Sequence, residues 1–319
     1  MMTARRASPA SQDSIRTHSK SFALASRALP PSTRDHAVAL YAWCRRADDA
    51  VDLVSEDAQP AALAALRSEL DGVYGGGALT DPILADFQRT AKERGIPRRY
   101  AEDLLVGMEM DVAGTRYTTY QDLYDYCYYV AGCVGTMMCH VMGIKEDRAL
   151  RNATHLGIAM QITNICRDVH EDWERGRLYI PDELLAEEGA PGLTKELGGA
   201  FPTSATDAVA RATDRLLAIA ERFYRSGDAG LWALPWRSSV SIRTARSVYS
   251  AIGGRVRAQG CDPLAGRAYV PLSAKLVLMA GSLTRALVDV PSRIGSGPSR
   301  TPSRTLIYPD DVLPLEGTP

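Results

Sequence analysis

Between Pro97 and Pro181 the chain carries no proline at all, while six of its 18 prolines fall within the last 29 residues. Proline removes a backbone donor and clashes with the preceding turn, so its absence leaves the middle of the chain free to form long helices. Apolar residues recur there at helical spacing, and no convincing alternating run stands between turn signals. Breakers divide the chain: "LPPSTR" from Leu29, "YGGGALTDP" from Tyr74, "RGIPRR" from Arg94, "MGIKED" from Met142, "GRLYIPDE" from Gly176, "GAPGLTKELGGAFPTS" from Gly189, "SGDAG" from Ser226 and "GCDPLAG" from Gly260. The segments between them run roughly 15 to 25 residues, a length suited to packed helices. No linker is long enough to separate two cores, and no repeat of solenoid length is present. The expectation is one all-α domain over residues 12–290, a flexible N-terminus over 1–11, and a Pro/Ser-rich tail over 291–319 that is extended or disordered.

Composition excludes several functions. Net charge is −1, which offers no basic surplus for nucleic acid. The six cysteines form no CxxC pair and mostly sit in apolar helical context, which points to a reducing compartment. The five histidines are scattered, against a zinc site. The N-terminus "MMTARRASPASQ" lacks the apolar core of a secretory signal. The best apolar run, "LVLMAG" from Leu276, is far short of the ~20 residues that span a bilayer.

Two stretches carry unusual charge. In "YAWCRRADDAVD", Tyr41, Arg45, Asp48 and Asp52 share one helical stripe, whereas Asp49 is rotated about 100° away. In "QITNICRDVHEDWERGRLYIP", Gln161, Asn164, Asp168 and Asp172 form a second stripe beside Arg167, Arg175 and Arg177. Carboxylates four residues apart repel each other. A single such pair more often marks a solvated helix face. Two of them, each flanked by arginines and each rising from an apolar helix, fit the pattern by which magnesium is held: a few carboxylates together with the phosphates of a substrate. Facing each other across a bundle, they would suit a diphosphate ester, whose departure develops negative charge.

These stretches, with "HSKSFALASRALP" (18–30) and "YCYYVAGCVGTMM" (126–138), carry a resemblance. From about residue 15 to about residue 290 the chain resembles the squalene/phytoene synthase family, the trans-isoprenyl diphosphate synthases that join two prenyl diphosphates head to head. The resemblance implies an all-α, single-domain isoprenoid-synthase-type helical bundle around a central apolar cavity. It implies two to three Mg²⁺ (or Mn²⁺) ions on Asp48 and Asp52 of one wall and on Asn164, Asp168 and Asp172 of the other. Diphosphate contacts are expected from His18, Ser19, Lys20, Ser21, Tyr41, Arg45, Gln161, Arg167 and Tyr179, with Tyr249 near the diphosphates. Asp48, Asp52, Asp168, Asp172, Arg45 and Tyr249 form the expected catalytic group.

The cavity is expected to involve Phe22, Tyr129, Gly132, Cys133 and Gly135. Small residues there either leave room for a prenyl chain or serve close helix packing, and both readings stand at this point. The implied activity is condensation of two geranylgeranyl diphosphates to phytoene through prephytoene diphosphate, within carotenoid biosynthesis and without NADPH. The alternatives are a squalene or dehydrosqualene synthase using farnesyl diphosphate and, more distantly, a non-catalytic assembly factor of the same fold. The greasy product implies a cytoplasmic protein in peripheral contact with the inner face of a membrane, alongside other carotenoid-pathway enzymes.

Overall fold

The computed structural model describes residues 6–294, with the backbone alone for 287–294. Its helices are α1 (Pro9–His18), α2 (Lys20–Ser26), α3 (Pro31–Asp52), α4 (Gln59–Gly75), α5 (Pro82–Arg94), α6 (Arg98–Val112), α7 (Tyr120–Cys127), α8 (Cys133–Val141), α9 (Asp147–Glu174), α10 (Asp182–Glu187), α11 (Thr206–Gly230), α12 (Trp236–Ala258) and α13 (Leu272–Ile294). No strand occurs among the described residues, so the all-α expectation is met.

Local chemistry sets the boundaries. Proline at the first or second position opens α3 and α5, where a missing N–H costs nothing. The Asp81 side chain accepts from the Ile83 and Leu84 amides to start α5, and Gly95, at φ 61°, ends it. Thr119 and Asp122 form a reciprocal capping box at α7. Between α7 and α8, residues Tyr128–Gly132 wind as a π-helical turn, a local widening often met at functional sites.

The centre of the bundle is α9. Residues 154–159 are all buried, so this stretch turns no face to solvent. It packs against α8, α11, α12 and the π turn. Two of these contacts are backbone to backbone. A Cβ on Gly157 would sit 2.3 Å from the Ala131 carbonyl oxygen, and one on Gly135 2.4 Å from that of Ala153. On the outer side, Trp43 of α3 stacks on Phe87 of α5 at 4.2 Å.

Both expected chain ends shift. The N-terminus joins the fold before residue 12, because the Ser8 amide and the Ser11 hydroxyl both donate to Asp86 and Ala7 is buried. At the other end α13 runs to Ile294, past the expected boundary at 290. The rest of the expected tail lies outside the described residues. No helix among the described residues is long and apolar enough to cross a membrane.

Candidate active site

A cavity of about 370 Å³ runs into the bundle between α3, α6, α8, α9, α11 and α12. Its inner walls are apolar: Leu104 and Met108 of α6, Val134 and Met138 of α8, Leu156 and Met160 of α9, and Leu231 and Leu234 after α11. Its polar lining gathers Tyr41, Arg45 and Asp48 from α3, Asp111 from α6, Gln161 and Asn164 from α9, and Tyr249 from α12. An apolar tube with a few convergent polar groups is the usual form of a small-molecule site.

Of the first stripe, Tyr41, Arg45 and Asp48 line the cavity. Arg45 reaches Asp48 at 2.9 Å and also pairs with Asp49. Asp48 lines the cavity, while Asp49 lines a separate hollow. The 100° offset between neighbouring helix positions therefore turns the two aspartates to different faces of one helix. Burial, then the neighbouring Asp52, push the Asp48 carboxyl up to about 6 despite Arg45. Asp52 lies 3.5 Å from the Arg177 guanidinium and is not on the cavity wall.

On the second stripe, Gln161 and Asn164 face the cavity. The Asn164 amide donates to Gln161 Oε1 at 3.3 Å, and its Oδ1 is buried without a partner. Arg167 donates to Asp168 Oδ1 at 2.7 Å, and Arg267 meets the same carboxylate at 3.2 Å. Burial, then Asp168, raise the Asp172 carboxyl to about 7, against Arg175 and Arg177.

A residue that the sequence did not single out stands between the stripes. Asp111 accepts a hydrogen bond from Tyr179 at 2.8 Å and one from Tyr126 at 3.1 Å, and those two rings stack at 4.9 Å. Burial raises its carboxyl, opposed first by Arg177 and then by the tyrosine bonds. Its charge is felt at Asp48 and at Asp172, so one carboxylate couples the two walls. Nothing in "GMEMDVAG" signals this, because the partners of Asp111 lie 15 and 68 residues away.

Other expected residues take different places. His18 and Lys20 are exposed, and His18 lines the hollow behind α3. Ser19 caps α2 by accepting from the Phe22 amide. Ser21 is half-buried. Tyr179 reaches the site through Asp111 and does not line the cavity. Phe22 and Gly135 are on the cavity wall; Tyr129, Gly132 and Cys133 are not. Gly135 owes its missing side chain to the Ala153 backbone, and Cys133 is fully buried with its thiol donating to the Tyr129 carbonyl. Close packing is thus the reading that the structure favours for these small residues.

Among the described residues no three His, Cys, Asp or Glu side chains converge into a ready-made metal cage. The donor chemistry nonetheless fits a hard cation shared with phosphate. Carboxylates along each helix, and Asp111 beside both, disfavour the charge on Asp48 and Asp172, the Asn164 carbonyl oxygen is unsatisfied, and Arg45 Nε is buried without a partner. Asp48, Asp52, Asn164, Asp168 and Asp172 are the residues that would hold such ions.

Comparison with known proteins bears on the same residues. The squalene/phytoene synthase family model matches residues 15–274. A phytoene synthase of Pseudescherichia vulneris is 39% identical over 290 residues, covering 88% of this chain and 92% of the relative. A 15-cis-phytoene synthase of Paracoccus sp. is 38% identical, covering 84% and 88%. A crystal structure of a dehydrosqualene synthase in complex with ligand superposes with a TM-score of 0.77 at 28% identity, covering 87% of this chain and 95% of that one. Both acidic stripes and the cavity between them fall inside the matched region, and the chain belongs to the squalene/phytoene synthase family.

Proposed function

We propose that the protein condenses two molecules of geranylgeranyl diphosphate head to head, through prephytoene diphosphate, to phytoene, releasing two diphosphates. The single observation that carries this reading is the cavity itself: an apolar lining that gathers Arg45, Asp48 and Asp111 together with Gln161 and Asn164 of α9, the helix that also carries the Arg167–Asp168 pair. The identity of about 39% to phytoene synthases supports the C20 substrate. Mg²⁺ (or Mn²⁺), when bound with the diphosphates, would supply the positive charge that draws off each leaving group. The chain's own part is to bind and to shield. Arg45 and Arg167 are the expected phosphate clamps, Asp48, Asp52, Asn164, Asp168 and Asp172 supply hard oxygen donors, and the walls of α6, α8 and α9 keep water from the allylic cation.

Incubating purified protein with C20 and C15 diphosphates and Mg²⁺, with and without NADPH, tests the reading. A C40 hydrocarbon independent of NADPH is expected; a C30 product without any C40 product would overturn it. We also propose peripheral membrane contact, supported by Leu272, Leu276 and Val277 of α13, which are all exposed. Sedimentation with anionic vesicles checks this, with the triple Ser variant expected to stay in the supernatant.

A further inference from the structure

The second acidic stretch runs out in "ERGRLYIP", where the chain reverses after α9. Gly176, at φ 73°, takes the left-handed conformation there. Its amide donates to the Trp173 carbonyl at 2.9 Å, and the Arg177 amide donates to the Asp172 carbonyl at 2.8 Å. These two bonds are the paired closure that fixes a reversal at a helix end. They seat the Arg177 backbone against the turn of α9 that bears Asp172.

From that seat the guanidinium reaches α3, where Nη1 lies 3.5 Å from Asp52 Oδ1. With only 23% and 31% of the two side chains exposed, water screens the pair incompletely. Two further acids feel the same cation. After burial, Arg177 is the largest influence on Asp111, and together with Arg175 it opposes the rise at Asp172. One guanidinium thus serves an acid from α3, one from α6 and one from α9. The other arginines of the site each stay on one stripe: Arg45 pairs within α3, Arg167 within α9, and Arg267 with Asp168 and Glu171 of α9.

We propose that Arg177 is the resident counterion of the acidic site: its charge ties the end of α3 to the end of α9, and a divalent cation must displace it to reach Asp52. The proposal rests on the prenyl diphosphate reading above and adds to it a residue that sets the site's affinity for ions. A guanidinium and a hard cation compete for the same carboxylate oxygens and repel each other at close range. Each ion bound at Asp52 therefore loses the free energy of the pair it breaks, and bare ions are held weakly until phosphate oxygens add to the donors. Arg177 already reaches solvent with part of its side chain, which gives the displaced charge a place to go. The same pair accounts for Asp52 standing off the cavity wall although Asp48, four residues before it, lines that wall.

The test measures Mn²⁺ binding to the full chain by electron paramagnetic resonance, at pH 8.0 and with no phosphate compound present, for wild type, Arg177→Gln and Arg177→Lys. Helix content is followed by circular dichroism. Arg177→Gln should tighten Mn²⁺ by at least about fivefold, the lower end of the coupling between two linked sites. Arg177→Lys keeps the charge and should stay within about twofold of wild type. The rise in melting temperature that Mn²⁺ produces should likewise be larger in the Gln variant than in wild type. A residue that merely packed the turn would give the opposite sign, since its loss would loosen the ligands and weaken the ion. Arg177→Met, which keeps the aliphatic stem, carries the same test should the Gln variant not fold. A folded neutral variant that binds Mn²⁺ no more tightly than wild type, or a Lys variant that binds as tightly as the neutral one, overturns the counterion. Wild-type binding of non-reactive geranylgeranyl thiodiphosphate in Mn²⁺ leaves the functional reading intact in either case. Wild-type protein that binds neither Mn²⁺ nor that analogue overturns both.

Discussion

The raised carboxyls of Asp48 and Asp172 predict a steep pH dependence of divalent-ion binding. The perturbation is a shift from pH 8.0 to pH 5.5, with Mn²⁺ as the probe because its free concentration can be read by electron paramagnetic resonance. A metal ion must bind the ionised carboxylates, so it competes with their protons. With Asp172 at about 7, about one molecule in 30 has that group ionised at pH 5.5; with Asp48 at about 6, about one in four does. At pH 8.0 both are ionised. If tight binding needs both groups, apparent affinity should fall by about 100-fold between the two pH values. Asp172→Asn should reduce that dependence to about fourfold, the share left to Asp48. A change of less than about threefold in the wild type, or a pH dependence unaltered by Asp172→Asn, would refute the electrostatic account. The stability of the metal-free protein has the same origin. Both native carboxyls titrate above the unfolded value of about 3.9, so the native state binds more protons than the unfolded state between pH 4 and 7. The contribution of these groups to stability is therefore full below about pH 4 and is lost as pH rises through about 7.

Three further outcomes follow from the packing and the charge geometry. Asp48→Asn and Asp168→Asn should each abolish turnover with helix content intact, whereas Asp49→Asn, off the cavity wall, should keep activity within about tenfold of wild type; product formation and circular dichroism check both. Asp111→Ala leaves the Tyr126 and Tyr179 hydroxyls without their acceptor and should lower stability by about 2 kcal/mol, while Asp111→Asn retains an acceptor and should cost less, as urea midpoints will show. Gly157→Ala drives a Cβ against the Ala131 carbonyl and should destabilise by about 3 kcal/mol, but Gly254→Ala, on the exposed side of α12 with nothing within 4 Å, should stabilise by about 0.5 kcal/mol; thermal melts compare the two.

Helical periodicity is a local property, and whatever depended on it was legible in the chain. The proline-free middle predicted long helices, and α9 runs unbroken for 28 residues through it. The four-residue spacing put Asp48 and Asp52 on one stripe and turned Asp49 away; in the structure Asp48 lines the cavity and Asp49 a separate hollow, while Asp52 is off the cavity wall. Partners distant in sequence were not legible. Asp111 is one acid in an apolar helix until the fold brings Tyr126 and Tyr179 to it, and Asp168 meets Arg267 from 99 residues away. Small residues are the clearest case. Gly132, Gly135, Ala149 and Ala153 look alike in the sequence, since each only lacks bulk. Whether the missing volume is filled by another backbone or left as cavity depends on how closely the neighbouring helix approaches, and that distance is set by the whole bundle: a carbonyl fills the space at Gly135, while Ala149 and Ala153 border open cavity.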